Sequence, residues 1–137
     1  MQYVALVGRL LFSLPFIVGG FLHFKDRVPL IEYAKERVPY FPTLQVLGTG
    51  VLLIGAGLST LFGVWPDVGA FLLFIYLSLA VMLAPDYWQQ GERLQRQIRL
   101  IMHAKNIGTA GAALLTTAVF ASSTVGPTLT GPAFSSW

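Results

Sequence analysis

Three polar side chains stand close together near the start of the last long apolar stretch of this sequence: His103, Lys105 and Asn106. Lysine and asparagine side chains donate hydrogen bonds, so this pair could hold an oxygen acceptor such as a quinone carbonyl. A histidine titrates near neutral pH and could pass protons. A lysine inside a membrane span costs ~2.5–3.5 kcal/mol on insertion scales, so its presence there calls for a reason.

A second histidine, His23, ends the first apolar stretch and is predicted to lie at the depth of His103. Two interpretations stay open. In the first, Lys105 and Asn106 bind a ligand on the cytoplasmic side and a histidine relays protons. In the second, Lys105 snorkels to lipid phosphates and both histidines lie at the interface. Two histidines without a third ligand make a poor metal site, so no metal is predicted.

Two further charged residues belong to the opposite side of the predicted membrane. Arg9 lies within the first apolar stretch, ~9 Å below the outer surface at the helical rise. Asp67 is the carboxylate side chain predicted on that side, so we expect an Arg9–Asp67 ion pair with a structural role. Asp86 is either an exposed loop acid or the partner of a buried cation.

The composition indicates which elements position these residues. Of 137 residues, 55% are hydrophobic and 11% are charged, whereas soluble domains carry about 25% charged residues. The apolar residues form four runs long enough to span a bilayer, with a soluble helical bundle as the alternative. We therefore predict one all-α domain over residues 1–137, an integral membrane four-helix bundle. Its spans are residues 3–24, 43–62, 68–84 and 99–120, followed by an uncharged tail over 121–137.

Helical periodicity predicts which faces of two spans point into the bundle. In the first span this face holds the charged, hydroxylic and small residues, which are Arg9, Ser13, Phe16, Gly20 and His23. In the fourth it holds Lys105, Asn106, Thr109, Ala113 and Thr116. Glycines 48, 50, 55 and 57 of the second span favour close helix packing over a dinucleotide motif.

The segments outside the spans predict orientation. Residues 30–37, between two prolines, have the pattern of a short amphipathic helix at the interface, with a solvated turn as the alternative. Of nine lysines and arginines, all but Arg9 lie toward one side. The positive-inside rule therefore makes loops 25–42 and 85–98 cytoplasmic and places both termini on the extracytoplasmic side of the cell inner (plasma) membrane.

Charge and cysteine content exclude some functions. The net charge of +3 comes from cations between spans, so no nucleic-acid partner is expected. The sequence has no cysteine, which excludes thiol–disulfide chemistry and thiolate-bound iron–sulfur clusters in this chain. Any redox role would therefore need a bound group that carries the electrons.

Four segments together resemble the DoxX family of small four-span membrane proteins. They are G-R-L-L-F-S-L-P-F-I-V-G-G-F-L-H-F in the first span, the glycine-rich second span, A-P-D-Y-W after the third, and H-A-K-N-I-G-T-A-G-A-A-L-L in the fourth. The resemblance covers residues 6–120. It implies a four-helix membrane bundle and permits a quinone-linked role, because the family is named for a subunit of a thiosulfate:quinone oxidoreductase. That enzyme also needs a second subunit.

These observations predict a redox-associated, quinone-linked or accessory subunit of a membrane complex, with a quinone as the possible cofactor. The expected partners are the lipid bilayer and other membrane subunits or further copies of the chain. Two alternatives remain. One is a purely structural subunit of a larger assembly, and the other is a small transporter or channel that uses Lys105, His23 and His103. The sequence leaves open whether the chain is catalytic.

Overall fold

Five α-helices make up the computed structural model, which describes residues 1–83, 91–122 and 126–134. They are α1 (Gln2–Lys25), α2 (Arg27–Arg37), α3 (Pro42–Phe62), α4 (Pro66–Met82) and α5 (Arg93–Ser122). The described residues contain no strand, only an isolated bridge between Val64 and Gly131. The fold class is therefore all-α, as predicted. Asp86 lies outside the described residues, so its role stays a prediction.

Helix α1 packs on α3 through glycines. Its buried residues are Arg9, Ser13, Phe16 and Gly20, which are four of the five predicted to face inward. A β-carbon on Gly20 would lie 2.7 Å from the carbonyl oxygen of Gly50, so only glycine permits this crossing. A β-carbon on Gly57 would lie 2.8 Å from Ile17 Cγ1, whereas one on Gly48 or Gly55 would meet no atom within 4 Å. Of the four glycines predicted to favour close packing, Gly50 and Gly57 therefore pack against α1.

The helices pack in the order α1, α3, α4, α5 around one apolar core. That core takes buried residues from all four helices: Phe16, Leu53, Ala56, Leu73, Leu77, Ala110 and Ala113. The circle is not closed, because no Cα atom of α1 lies within 8 Å of a Cα atom of α5. We call the line where α1 and α5 face each other across this gap the α1–α5 seam.

Helix length and composition identify two membrane-spanning candidates among the described residues, α1 and α3. Helix α4 is apolar but has only 17 residues. Helix α5 has 30 residues, and the arginines in its first turns lower its hydropathy. Membrane spans at α4 and α5 therefore stay predictions.

Helix α2 confirms the predicted short helix between the first two apolar stretches. It has 11 residues, none of them buried, and it contacts α3. Its surface carries an ion pair in which Lys35 Nζ lies 3.0 Å from Glu32 Oε1, and Arg37 stacks over the Tyr33 ring at 5.4 Å. The helix is therefore an exposed, charged element at the end of the molecule where α1 ends and α3 begins.

Candidate functional site

Lys105 and Asn106 line an apolar groove in the α1–α5 seam. The groove has a volume of about 530 Å³, in the range of small-molecule sites. Its walls are Leu11, Phe12, Pro15 and Phe16 of α1, Leu77 of α4, and Lys105, Asn106, Gly108, Thr109 and Ala112 of α5. Because the backbones of α1 and α5 stay apart, small residues of α5 and aromatic rings of α1 bound an open space.

The Lys105 ammonium group and the Asn106 carboxamide have no hydrogen-bond partner among the described residues. The Thr109 hydroxyl, by contrast, donates to the Lys105 carbonyl oxygen at 2.7 Å and is satisfied within the helix. The groove therefore presents an ammonium group and a carboxamide as its available hydrogen-bond donors. An oxygen acceptor in the groove could receive a bond from each.

The inward face of α5 differs from the predicted one. The buried residues are Ala110, Ala113, Thr117 and Phe120, so Ala113 alone of the five predicted residues is buried. Lys105 is exposed, and Asn106, Thr109 and Thr116 are half-buried. Alanines 110 and 113 join the core formed with α4, and small side chains allow that close packing. The polar residues consequently lie at the edge of the buried face, where they reach the groove and not the core.

The two histidines are not brought into the groove. His23 Nδ1 lies 2.7 Å from the Gly19 carbonyl oxygen of the same helix. A β-carbon on Gly50 would lie 3.0 Å from His23 Cβ, so this histidine packs where α1 contacts α3. His103 is half-buried and does not line the groove. Within the described residues no three His, Cys, Asp or Glu side chains form a metal-binding group. The predicted cluster is thus divided.

At the other end of the seam, all three guanidinium nitrogens of Arg9 donate hydrogen bonds to backbone carbonyl oxygens, and we call this arrangement the Arg9 clamp. Arg9 is 5% exposed and donates through Nε to the Thr60 carbonyl at 3.0 Å and through Nη2 to the Leu61 carbonyl at 2.6 Å. These carbonyls belong to the last turn of α3, which lacks intrahelical donors. Nη1 donates to the Pro127 carbonyl at 2.6 Å, and the guanidinium lies 5.6 Å from the Phe120 ring centre.

Asp67 is also satisfied by backbone groups, so the predicted Arg9–Asp67 ion pair is wrong. Its carboxylate is completely buried and accepts hydrogen bonds from the amides of Ala133, at 2.8 Å, and Phe134. Asp67 is in the first turn of α4, where a negative charge is favourable. Each charge therefore finds peptide dipoles nearby, and neither needs the other.

The tail over residues 126–134 forms hydrogen bonds with both Arg9 and Asp67. The sequence did not predict these contacts. The tail lies across the α3–α4 turn, where the Leu129 amide donates to the Phe62 carbonyl at 3.3 Å and the Trp65 amide donates to the Thr130 hydroxyl at 3.1 Å. Gly63 has a φ of 72°, and a β-carbon there would lie 2.7 Å from Thr128 Cα. The sequence shows an uncharged tail with two glycines, Gly126 and Gly131, but this pattern does not indicate which residues the tail contacts.

Two further cavities lie toward this tail end. One, of about 240 Å³, lies along the α1–α5 seam and is lined by Arg9, Thr60, Thr116 and apolar residues of α1 and α5. The other, of about 630 Å³, lies between α4 and α5 and is also lined by Phe134 of the tail. Its two hydroxyls, on Thr117 and Ser122, donate within α5 to the carbonyls of Ala113 and Val119. This larger cavity therefore offers no free side-chain donor.

Comparison with known proteins places the chain in a family. The family model described as DoxX matches residues 4–86, which is more than half of the chain and covers α1 to α4. The match ends before α5, so the segment with Lys105 and Asn106 lies outside it. No curated protein and no solved structure matches the chain. With α1 and α3 each long and apolar enough to cross a bilayer, the chain belongs to the DoxX family of membrane proteins.

Proposed function

We propose that α1, α3, α4 and α5 all span the cell inner (plasma) membrane as a four-helix bundle, with both termini extracytoplasmic. The cations at the α2 end support this orientation through the positive-inside rule. Helix α4, with 17 residues, would be ~26 Å long, and a bilayer accommodates such a short span by local thinning. The basic first turns of α5 would then lie at the cytoplasmic surface, with Lys105 farther in.

Within this arrangement, the protein is a redox-associated subunit of a membrane complex, and the inner groove of the α1–α5 seam binds the head group of a quinone. One observation carries the proposal: Lys105 and Asn106 are unbonded donors within the described residues and line an otherwise mostly apolar groove. A quinone ring has carbonyl acceptors for such donors and flat faces that pack against aromatic rings. Phe12 and Phe16 supply such rings, with centres 5.3 Å apart.

The open seam also suits a ligand that is dissolved in the bilayer. A quinone reaches its site from the lipid phase, and a gap between two helices provides that access without a tunnel through the core. The absence of cysteine means that this chain supplies no thiol for electron transfer, so a bound group or a partner subunit would deliver or accept the electrons.

Quinone binding can be tested on the gently solubilised protein by lipid extraction, mass spectrometry and titration with a water-soluble quinone. We expect bound quinone in the wild type and weaker binding in Lys105→Met and Asn106→Leu. Arg96→Met and Gln97→Leu are the matched controls, because both residues are exposed on α5 and outside the groove. His23→Ala and His103→Ala should bind as the wild type does, since neither histidine lines the groove.

The alternatives predict different results in the same preparations. A purely structural subunit would contain no quinone and would co-purify with a partner whether or not Lys105 is replaced. A transporter or channel would give flux in liposomes that contain this chain alone. Either result, together with equal quinone binding by the wild type and Lys105→Met, would overturn the proposed function.

A further inference from the structure

The inner groove and the second cavity of the seam are neighbours that share one lining residue. Phe12 of α1 lines both cavities. On α5, the inner groove ends at Ala112 and the outer cavity begins at Leu115, one helical turn further along. From Lys105 to Val119 the seam is ~21 Å long at the α-helical rise.

The two ends of the seam differ in what they offer a ligand. At the inner end, the Lys105 ammonium group and the Asn106 carboxamide have no hydrogen-bond partner among the described residues. At the outer end, three carbonyl oxygens already accept from Arg9, and Thr116 donates to the Ala112 carbonyl at 2.7 Å. Polar recognition is therefore concentrated at one end, and the remainder of the seam is mostly lined by apolar and small residues: Ala5, Gly8, Phe12, Leu115, Val119 and Phe120.

We propose that the α1–α5 seam binds a long-chain amphiphile, with the ligand's isoprenoid chain lying in the outer cavity beside Gly8 and Leu115. The inference rests on the proposed function, which supplies the head group at Lys105 and Asn106. Phe12 borders both cavities, so the ligand's isoprenoid chain would pass this ring on its way outward along α1 and α5. The outer cavity, about 240 Å³, has room for a segment of hydrocarbon.

A pair of glycines on α1 makes the chain's position testable. Gly8 lines the outer cavity, and a β-carbon there meets no atom within 4 Å, so Gly8→Phe fills the cavity without a clash at its base. Gly19 is on the same helix, also has open space around a β-carbon, and lines neither seam cavity. Gly19→Phe is therefore a control for helix propensity and added bulk.

The experiment compares a quinone that carries several isoprene units with the same ring lacking the chain, both titrated into the purified protein in nanodiscs. Gly8→Phe should weaken binding of the long-chain quinone by about tenfold and leave the chainless ring unchanged, since overpacking blocks the chain alone. Gly19→Phe should change neither. Equal effects on both ligands, or no effect of Gly8→Phe on the long-chain quinone, would overturn the inference.

A photoreactive group at the end of the chain gives a second readout that needs no variant. In the wild type it should label peptides that contain Gly8 or Leu115, whereas labelling confined to the groove around Lys105 would contradict the inference. The proposed function fails separately, if the chainless ring does not bind the wild type or binds Lys105→Met equally well. If binding of the chainless ring depends on Lys105 and Gly8→Phe has no effect on the long-chain quinone, the proposed function stands and only the proposed position of the isoprenoid chain is wrong.

Discussion

Arg9 and Lys105 are both cations in apolar helices, but the structure treats them in opposite ways. Arg9 is 5% exposed and bonded to three carbonyl oxygens. Lys105 is exposed at the edge of a groove, and its ammonium group has no hydrogen bond to the described residues. A cationic side chain in such a helix therefore has a structural role when backbone acceptors surround it, and it is available to a ligand when they do not.

The chemistry of the two side chains matches their positions. The planar guanidinium has five donors in a fixed fork, so two of its nitrogens reach the consecutive carbonyls of Thr60 and Leu61 at the end of α3 while the third reaches the tail. An ammonium group on a flexible stem can turn toward whatever acceptor enters the groove. Lysine at position 9 and arginine at position 105 would fit their surroundings less well.

Replacing Arg9 with alanine should have the largest effect. The change orphans three carbonyl oxygens and removes the cation–π contact with Phe120, so we expect a loss of about 3 kcal/mol in the free energy of unfolding. Arg9→Lys should recover part of this loss, because one ammonium group cannot replace the fork. Thermal unfolding in detergent measures both. Wild-type stability of Arg9→Ala would show that the clamp is not structural.

Replacing Asp67 with asparagine should have the next largest effect. The asparagine carboxamide keeps one acceptor oxygen, but its NH2 group would face the other of the two amides of Ala133 and Phe134, so we expect a loss of about 2 kcal/mol and faster hydrogen exchange over residues 126–134. Asp26→Asn is the control, since Asp26 is exposed at the end of α1. Tail exchange as slow as in the wild type would refute the anchoring role of Asp67.

At the inner end, Lys105→Met should weaken the binding of a quinone by about tenfold, which corresponds to one hydrogen bond from a charged donor. Asn106→Leu should have a smaller effect, of about fivefold, because its donor is neutral. Titration with a water-soluble quinone measures both dissociation constants. Losses equal to those of the control Arg96→Met would mean that overall charge, and not the groove, determines affinity.

The smallest expected effect is that of Lys105→Met on folding. Because the exposed Lys105 ammonium group makes no hydrogen bond to the described residues, its replacement should change the free energy of unfolding by less than about 0.5 kcal/mol. The unfolding assay used for Arg9 provides the measurement. A loss as large as that of Arg9→Ala would abolish the distinction between the two cations.

The sequence predicted the elements better than the contacts between them. The inward stripe of α1 follows from its periodicity, which is a local signal. The third span was predicted to begin at residue 68, and α4 begins at Pro66. The buried face of α5 was predicted incorrectly because small and polar residues occur on several sides of that helix. Which side is buried depends on how Ala110 and Ala113 pack against α4. Periodicity cannot supply that information.

The partners of Arg9 and Asp67 were beyond prediction for a different reason. Opposite charges on one side of a membrane suggest an ion pair, but the acceptors and donors here are peptide groups of the α3 end and the tail. Backbone groups carry no sequence signature, so a contact between positions 9 and 127 leaves no local trace. The groove was partly foreseen, since Lys105 and Asn106 were chosen from the sequence and its aromatic wall on α1 was not.

The most direct test of the contrast between the two cations is to measure quinone affinity and unfolding on the same preparations of wild type, Arg9→Lys and Lys105→Met. We expect Lys105→Met to unfold at the wild-type temperature and to bind quinone about tenfold more weakly. We expect Arg9→Lys to unfold at a lower temperature and, while folded, to bind quinone with wild-type affinity. Unchanged quinone affinity in folded Lys105→Met would contradict this contrast.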